Sequence, residues 1–179
     1  MPATVVSVHS KAIHAFSKDA VKEIRLIAGY GVEGDAHFGV TVKHRSRVAK
    51  NPLQPNLRQV HLIHQELLDD LKAKGLHVAP GQMGENITTI GIPLLDLSAG
   101  TLIHIGSSAI IQVTGLRNPC AQIENFMPGL LRAVLDRAPN GDLLRKAGIM
   151  GTVVESGSIF SGDEITWTSP CKHIPLQPV

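Results

Sequence analysis

Residues 99–115 read AGTLIHIGSSAIIQVTG. A short apolar run that alternates with period two ends at Gly106, and a second such run begins at Ala109. Val, Ile and Thr dominate both, as half-buried strands require. Glycine before, between and after them is the punctuation of a β-hairpin. SGSIFSGDE (156–164) repeats the spacing and reads as a second hairpin signal.

Working outward, similar runs recur along the chain. ATVVSV (3–8), IRLIA (24–28), RQVHLI (58–63) and ENITTI (85–90) precede the quoted pair; GTVVES (151–156) and DEITWT (163–168) follow it. Helical spacing is scarcer. HQELLDDLKAKG (64–75) places Leu67, Leu68 and Leu71 on one face and stops at Gly75, a natural C′ residue. After Cys120 the apolar positions 123, 126, 127, 130, 131, 134 and 135 keep a helical period that Pro128 divides in two. GDLLRKAG (141–148) reads as one more short helix. Many short strands with few helices predict a mainly β fold: a closed or nearly closed β-barrel with peripheral helices. No linker or domain boundary interrupts residues 1–179, which read as a single domain.

The composition narrows the function classes. The chain has 179 residues, 43% apolar and 18% charged, with a formal charge of +2. That balance is neither disordered nor membrane-spanning, since no apolar run nears the roughly 20 residues a span needs. The small charge and an aromatic content of 3% argue against nucleic acid as a partner. MPATVVSVHS lacks the basic and apolar blocks of a signal peptide, and the two cysteines form no disulfide framework. A reducing, cytoplasmic setting with free thiols is the expectation, and Asn86-Ile87-Thr88 is then only formally a glycosylation sequon.

Much of the positive charge is local. VKHRSRVAK (42–50) crowds Lys43, His44, Arg45, Arg47 and Lys50 in a long loop, which reads either as a solvated segment or as a phosphate site. GYGVEG (29–34) matches the dinucleotide pattern G-x-G-x-x-G, but DAHFGVTVKH follows without helical periodicity, so no helix N-terminus is available for a pyrophosphate. The glycines instead read as a tight turn presenting Asp35 and His37. His61 and His64, three apart on a strand, point to opposite faces and do not share a metal.

GLRNPC (115–120) holds the strongest chemical candidate. With Asn118 as N-cap and Pro119 at N1, Cys120 falls at N2, where free amides and the helix dipole favour a thiolate; Arg117 adds positive charge. A buried, inert cysteine is the competing reading, and local sequence leaves both standing. Cys171, in a proline-rich stretch, has no comparable placement.

Taken in order, GVEGDAHFG, RQVHLI, GENITTIGIPLLDLSAGTLIHIG, VTGLRNPC and GIMGTVVESGSIFSGDEI resemble the MOSC domain, known from the C-terminus of molybdenum cofactor sulfurases and from small free-standing proteins. The resemblance runs from about residue 21 to 168. It implies a barrel like that of the pyruvate kinase barrel domain, binding of molybdenum cofactor (a molybdopterin), and one cysteine serving as molybdenum ligand or sulfur carrier. That cysteine maps onto Cys120. Some members reduce N-hydroxylated compounds at the bound cofactor. The chain carries neither the pyridoxal-phosphate domain of the sulfurases nor the N-terminal barrel of the amidoxime-reducing relatives. On this reading Cys120 is catalytic and the metal ligand, while Arg117, Asn118, Lys43, His44, Arg45, Arg47, His37 and Asp35 bind the cofactor. The expected partners are a small-molecule substrate and a redox protein or molybdoenzyme, with no nucleic acid and no membrane. Sulfur carriage on a Cys120 persulfide, pterin delivery without catalysis, and a cofactor-free thiol enzyme with His37 or His44 as base are the alternatives.

Overall fold

A computed structural model describes residues 2–43 and 45–179; the side chains of Arg45 and Ser46 also lie outside the described set. The chain begins with β1 (Ala3–Ser10), β2 (Asp19–Val21), β3 (Glu23–Ile27) and β4 (Gly31–Val32), then a short α1 (Arg45–Val48). β5 (Val60–His64), α2 (Gln65–Ala73), β6 (Ile87–Ile90), β7 (Leu102–Ile105) and β8 (Ala109–Leu116) follow. The last part holds α3 (Ala121–Phe126), α4 (Leu130–Ala133), β9 (Leu135–Arg137), β10 (Leu143–Arg145), β11 (Ile149–Glu155), β12 (Gly157–Phe160) and β13 (Glu164–Thr168).

Seven strands close into a barrel in the order β13, β7, β8, β11, β5, β6, β1, and β13 pairs back onto β1 through Ala3–Ile165 and Thr4–Glu164. Closure removes the sheet edges that would otherwise invite pairing with other chains. β2 hangs on the outer end of β1, and β3 forms a separate three-stranded sheet with β4 and β12. The quoted stretch is the β7–β8 hairpin, with Ile103 opposite Ile111 and Ile105 opposite Ala109. Period-two burial sends Ala109, Ile111 and Val113 inward, where they meet Val5, Leu62, Ile87, Val153 and Ile165 in one core.

β5 breaks the alternation: Val60, His61, Leu62 and Ile63 are all buried. The cause is topological. β5 and β6 are parallel, and α2 lies on the crossover between them, so β5 is covered on both faces. Leu62 faces the barrel core, while Ile63 joins Leu67, Leu68, Leu71, Ile123, Leu130 and Val134 in a second cluster under the helices. α2 ends as its sequence predicts. Gly75 takes φ 80°, and the Leu76 amide donates back to the Leu71 carbonyl, a Schellman closure.

Three expectations change. Residues 143–145 are the strand β10, paired with β9, rather than a helix; Gly141 turns at φ 88° and the two strands zip through Leu144–Asp136. A segment this short cannot stabilise a helix by itself, so pairing decides. The SGSIFSGDE spacing does not make a hairpin: β12 pairs with β3, and the turn at Gly162 passes the chain from that sheet to the barrel. IRLIA is a strand but not a barrel stave.

Ile111 is fully buried and Val154 is 49% exposed. Ile111→Ala should therefore lower unfolding free energy by about 2–5 kcal/mol, and Val154→Ala by less than about 0.5, as read by urea denaturation.

Candidate functional site

A cavity of about 240 Å³ lies beside β5, where six parts of the chain converge. Ala15, Phe16 and Lys18 come from the loop between β1 and β2. His37, Val42, Lys43 and Arg47 come from the long loop after β4. Asn56, Arg58 and His61 enter with β5, and Met83, Gly84 and Asn86 lead into β6. Arg117, Asn118, Cys120 and Gln122 follow β8, and Met150 of β11 completes the wall. The cationic loop and Cys120 thus line one cavity. His44, and the side chain of Arg45, lie outside the described residues.

Asp35 sits behind this wall rather than on it. Gly31 (φ 113°) and Gly34 (φ 75°) make the turn that delivers it; a side chain at Gly31 would press on the Gln59 backbone at 3.0 Å. The carboxylate is buried and gathers the lining residues. Lys18 Nζ donates at 2.5 Å, the His37 amide at 3.0 Å and Asn86 Nδ2 at 3.2 Å, while His37 Nδ1 lies 3.3 Å away. Burial alone would raise the Asp35 pKa, but the bonds from His37 and the Lys18 charge overcome it and hold the carboxyl far below its usual range. Burial lowers the Lys18 pKa, opposed by Asp35. Asn56 fixes the loop from the other side, donating to the His37 and Gly39 carbonyls at 2.9 Å each.

Arg58 and Arg117 supply two further cations. Burial, then the charges of Arg47 and Arg117, bring Arg58 down to about 10, while Cys120 raises it. Arg117 is lowered by burial, with Cys120 and Glu85 opposing. Its guanidinium lies over the Phe16 ring at 5.7 Å, and its enclosed Nη1 has no hydrogen-bond partner among the described residues. A buried donor without an acceptor is costly. His61 is buried and bonded through Nε2 to the Ala147 carbonyl at 2.8 Å; burial and then Arg117 hold it neutral. Behind the wall, burial also raises the Glu85 carboxyl, which accepts from the Gly81 amide and the Thr88 hydroxyl.

Cys120 is exposed, but not where the sequence placed it. α3 begins at Ala121, and Cys120 is its extended N-cap residue (φ −134°, ψ 173°) instead of N2. Two bonds account for the shift. The Arg117 amide donates to Gly148, keeping 117–120 extended, and Asn118 Oδ1 accepts from Arg145 Nε at 3.1 Å, so it is not free to cap. The thiol therefore owes its setting to the arginines around it more than to a six-residue helix. Residues 33–43 contain no helix, as the rejection of nucleotide binding required. Among the described residues no three His, Cys, Asp or Glu side chains cluster to hold a metal ion.

Residues 33–166 match the family model of the MOSC domain. The chain belongs to the MOSC domain family. YuaD of Bacillus subtilis (strain 168), named for metal-sulfur cluster biosynthesis, is 30% identical over 145 residues, covering 75% of this chain and 74% of its own. The crystal structure of B. subtilis YuaD superposes with a TM-score of 0.77 at 24% identity, over 95% of this MOSC chain and 97% of that one. YiiM from Escherichia coli gives 0.64 at 21% identity, over 98% and 73%, and YiiM from Geobacillus stearothermophilus 0.64 at 20%, over 93% and 75%. These structural likenesses establish a shared barrel. No helix among the described residues is long and apolar enough to cross a membrane.

Sequence reasoning did not single out Lys18, Arg58, His61 or Asn86 as lining residues of a MOSC site. Lys18 carries no local signal, because its role depends on a carboxylate 17 residues away. Arg58, His61 and Asn86 lie within RQVHLI and GENI, two of the segments that carry the family resemblance, and that was the available clue.

Two outcomes follow. Asp35→Asn leaves Lys18 buried without a counter-charge and should cost about 3–5 kcal/mol in unfolding free energy by urea titration. His9, buried beside Lys18, is lowered by burial and by that charge from 6.5 to about 4. Between those values the unfolded chain takes up a proton that the folded chain refuses, so His9's contribution is whole above pH 6.5 and declines as pH falls toward 4. Going from pH 7 to pH 5 should cost about 2 kcal/mol through this residue. His9→Gln should flatten the stability–pH curve by that amount.

Proposed function

We propose that this MOSC protein binds molybdenum cofactor with Cys120 as the molybdenum ligand and reduces N-hydroxylated or similar small compounds there. The observation that carries the reading is one exposed thiol sharing a cavity with Lys18, Lys43, Arg47, Arg58 and Arg117. A thiolate is the soft donor that a thiophilic metal takes. Guanidinium groups supply the paired donors a phosphate needs, and Arg117 Nη1 already waits for an acceptor. Phe16, Met83 and Met150 offer an apolar wall to a heteroaromatic ring. The donor set fits both chemical ends of the cofactor; at about 240 Å³ the cavity accepts a ligand head, with the remainder reaching out through the mouth.

When bound, the cofactor supplies two-electron redox chemistry. The chain's own residues do the rest. Cys120 anchors the metal end, Arg58 and Arg117 neutralise the anionic end, and His61 stays uncharged in the wall. Asp35, bonded to Lys18 Nζ in the cavity wall, opposes the lowering of the Lys18 pKa by burial. Cleaving an N–O bond to amine and water consumes two electrons and two protons; a reductase protein would deliver the electrons, and Lys18, in the cavity lining, is the proposed proton holder.

A second reading has its own support. The name of the relative YuaD refers to metal-sulfur cluster biosynthesis, and an exposed thiol among arginines also suits a persulfide that is handed to an acceptor molybdoenzyme.

Protein made in a host that synthesises the cofactor should contain molybdenum and pterin. Cys120→Ser should lose at least tenfold of the metal while Cys171→Ser keeps it, by elemental analysis. Retention of full metal by Cys120→Ser removes the ligand role. Metal-free protein carrying cyanide-labile sulfur on Cys120 establishes the sulfur-carrier reading instead.

A further inference from the structure

Arg58 is held in the cavity by a part of the chain far from it in sequence. Its Nε donates to Val179 O at 2.7 Å. Residues 177–179 lie along the end of β8: the Leu116 amide donates to Gln177 O at 2.9 Å, the Val179 amide to Leu116 O at 3.2 Å, and Pro178 bridges Leu116 in parallel. Gly115 makes room for this. A Cβ there would run into Gln177 O and come within 2.7 Å of a Val179 methyl carbon. Upstream the tail is anchored by Ile174, whose amide donates to Ser98 Oγ at 2.8 Å, and by Leu176 packed on the barrel core.

We infer that residues 177–179 are a positioning element of the site: by occupying Arg58 Nε they turn both Nη groups of Arg58 toward the cavity as a forked donor for an anion. The inference rests on the reading of that cavity as an anion site. With Nε engaged, the two Nη groups are the donors left, and among the described residues they have no protein partner. A fork with both nitrogens free matches two oxygens of a phosphate, whereas a freely rotating arginine loses most of that match to side-chain entropy. Arg58 is already crowded by the charges of Arg47 and Arg117, so without a fixed acceptor on Nε it would swing outward, away from them. The peptide unit ahead of Arg58 is pinned independently: Asn56 Oδ1 accepts from the Arg58 amide at 3.1 Å, and Thr114 Oγ1 donates to Leu57 O at 2.6 Å. Displacing the tail therefore frees the side chain without freeing the strand.

Inorganic phosphate titrated calorimetrically into the full chain tests this. Arg58→Ala should weaken binding about tenfold, and Gly115→Ala, which forces the tail off β8, several-fold. In the Arg58→Ala background Gly115→Ala should have no further effect, and Arg58→Lys, which keeps the charge but has no Nε fork, should be equally indifferent to it. By NMR the Arg58 Nε–H should exchange slowly in the unaltered protein and rapidly in Gly115→Ala. Circular dichroism checks folding; should Gly115→Ala fail to fold, deletion of residues 177–179 replaces it in the same cycle. A Gly115→Ala loss that persists undiminished without Arg58, or an Nε–H that exchanges freely in the unaltered protein, overturns the positioning role while leaving the anion site intact. Absence of phosphate binding by the unaltered protein overturns the anion reading of the cavity and the inference with it.

Discussion

The pairing of β1 with β13, Ala3 against Ile165 and Thr4 against Glu164, joins the two ends of the sheet, and the placement of every site residue depends on that closure. An open sheet of these strands would leave β1 and β13 as bare edges and would let the loops at its rim spread apart. Closed, the barrel has a fixed circumference, so the segments leaving β1 and β8 and those entering β5 and β6 meet over the same wall. Among the described strands the one parallel pair, β5 with β6, completes the arrangement. It forces a helical crossover, and the helices covering β5 bury Ile63 on the face that would otherwise be solvent.

On this scaffold the protein gathers positive charge at considerable electrostatic cost. Arg58 and Arg117 both lose basicity to burial, and Arg58 also to its neighbours. A single carboxylate, Asp35, is spent on the innermost cation, Lys18, and it accepts from His37 and Asn86 as well. The remaining arginines are not neutralised by protein acids in ion pairs among the described residues. Repulsion within such a cluster is met when the barrel folds, and an anion bound there would relieve it.

The position of Cys120 shows how a local signal can mark a helix start and still misplace the residue within it. Asn-Pro-Cys has the composition of a helix start, and a helix does start there, one residue past the cysteine. Arg145 takes the asparagine oxygen and Gly148 takes the Arg117 amide, two contacts made by residues at least 27 positions away. The cysteine ends up exposed in the cavity on an extended segment, where its surroundings are set by Arg58 and Arg117.

Apolar runs and glycine turns, read from the chain alone, marked all seven barrel strands; burial alternates with period two in β8, whereas β5 is covered on both faces and was legible by its Val, Leu and Ile content. The crowded cations at 43–47 and the thiol at 120 were also legible, as residue types whose chemistry needs no context. Partnership was not. Residues 141–148 have helix-forming composition but are too few to hold a helix against a hairpin, and that contest is settled by pairing with β9. Lys18, Arg58 and the tail at 177–179 became part of the site only through contacts spanning 17 and 121 residues of sequence. Such contacts pay their loop-closure entropy only once the barrel is closed. Local periodicity decides what the strands are; which side chains share a cavity is decided by how the closed barrel brings its rim together.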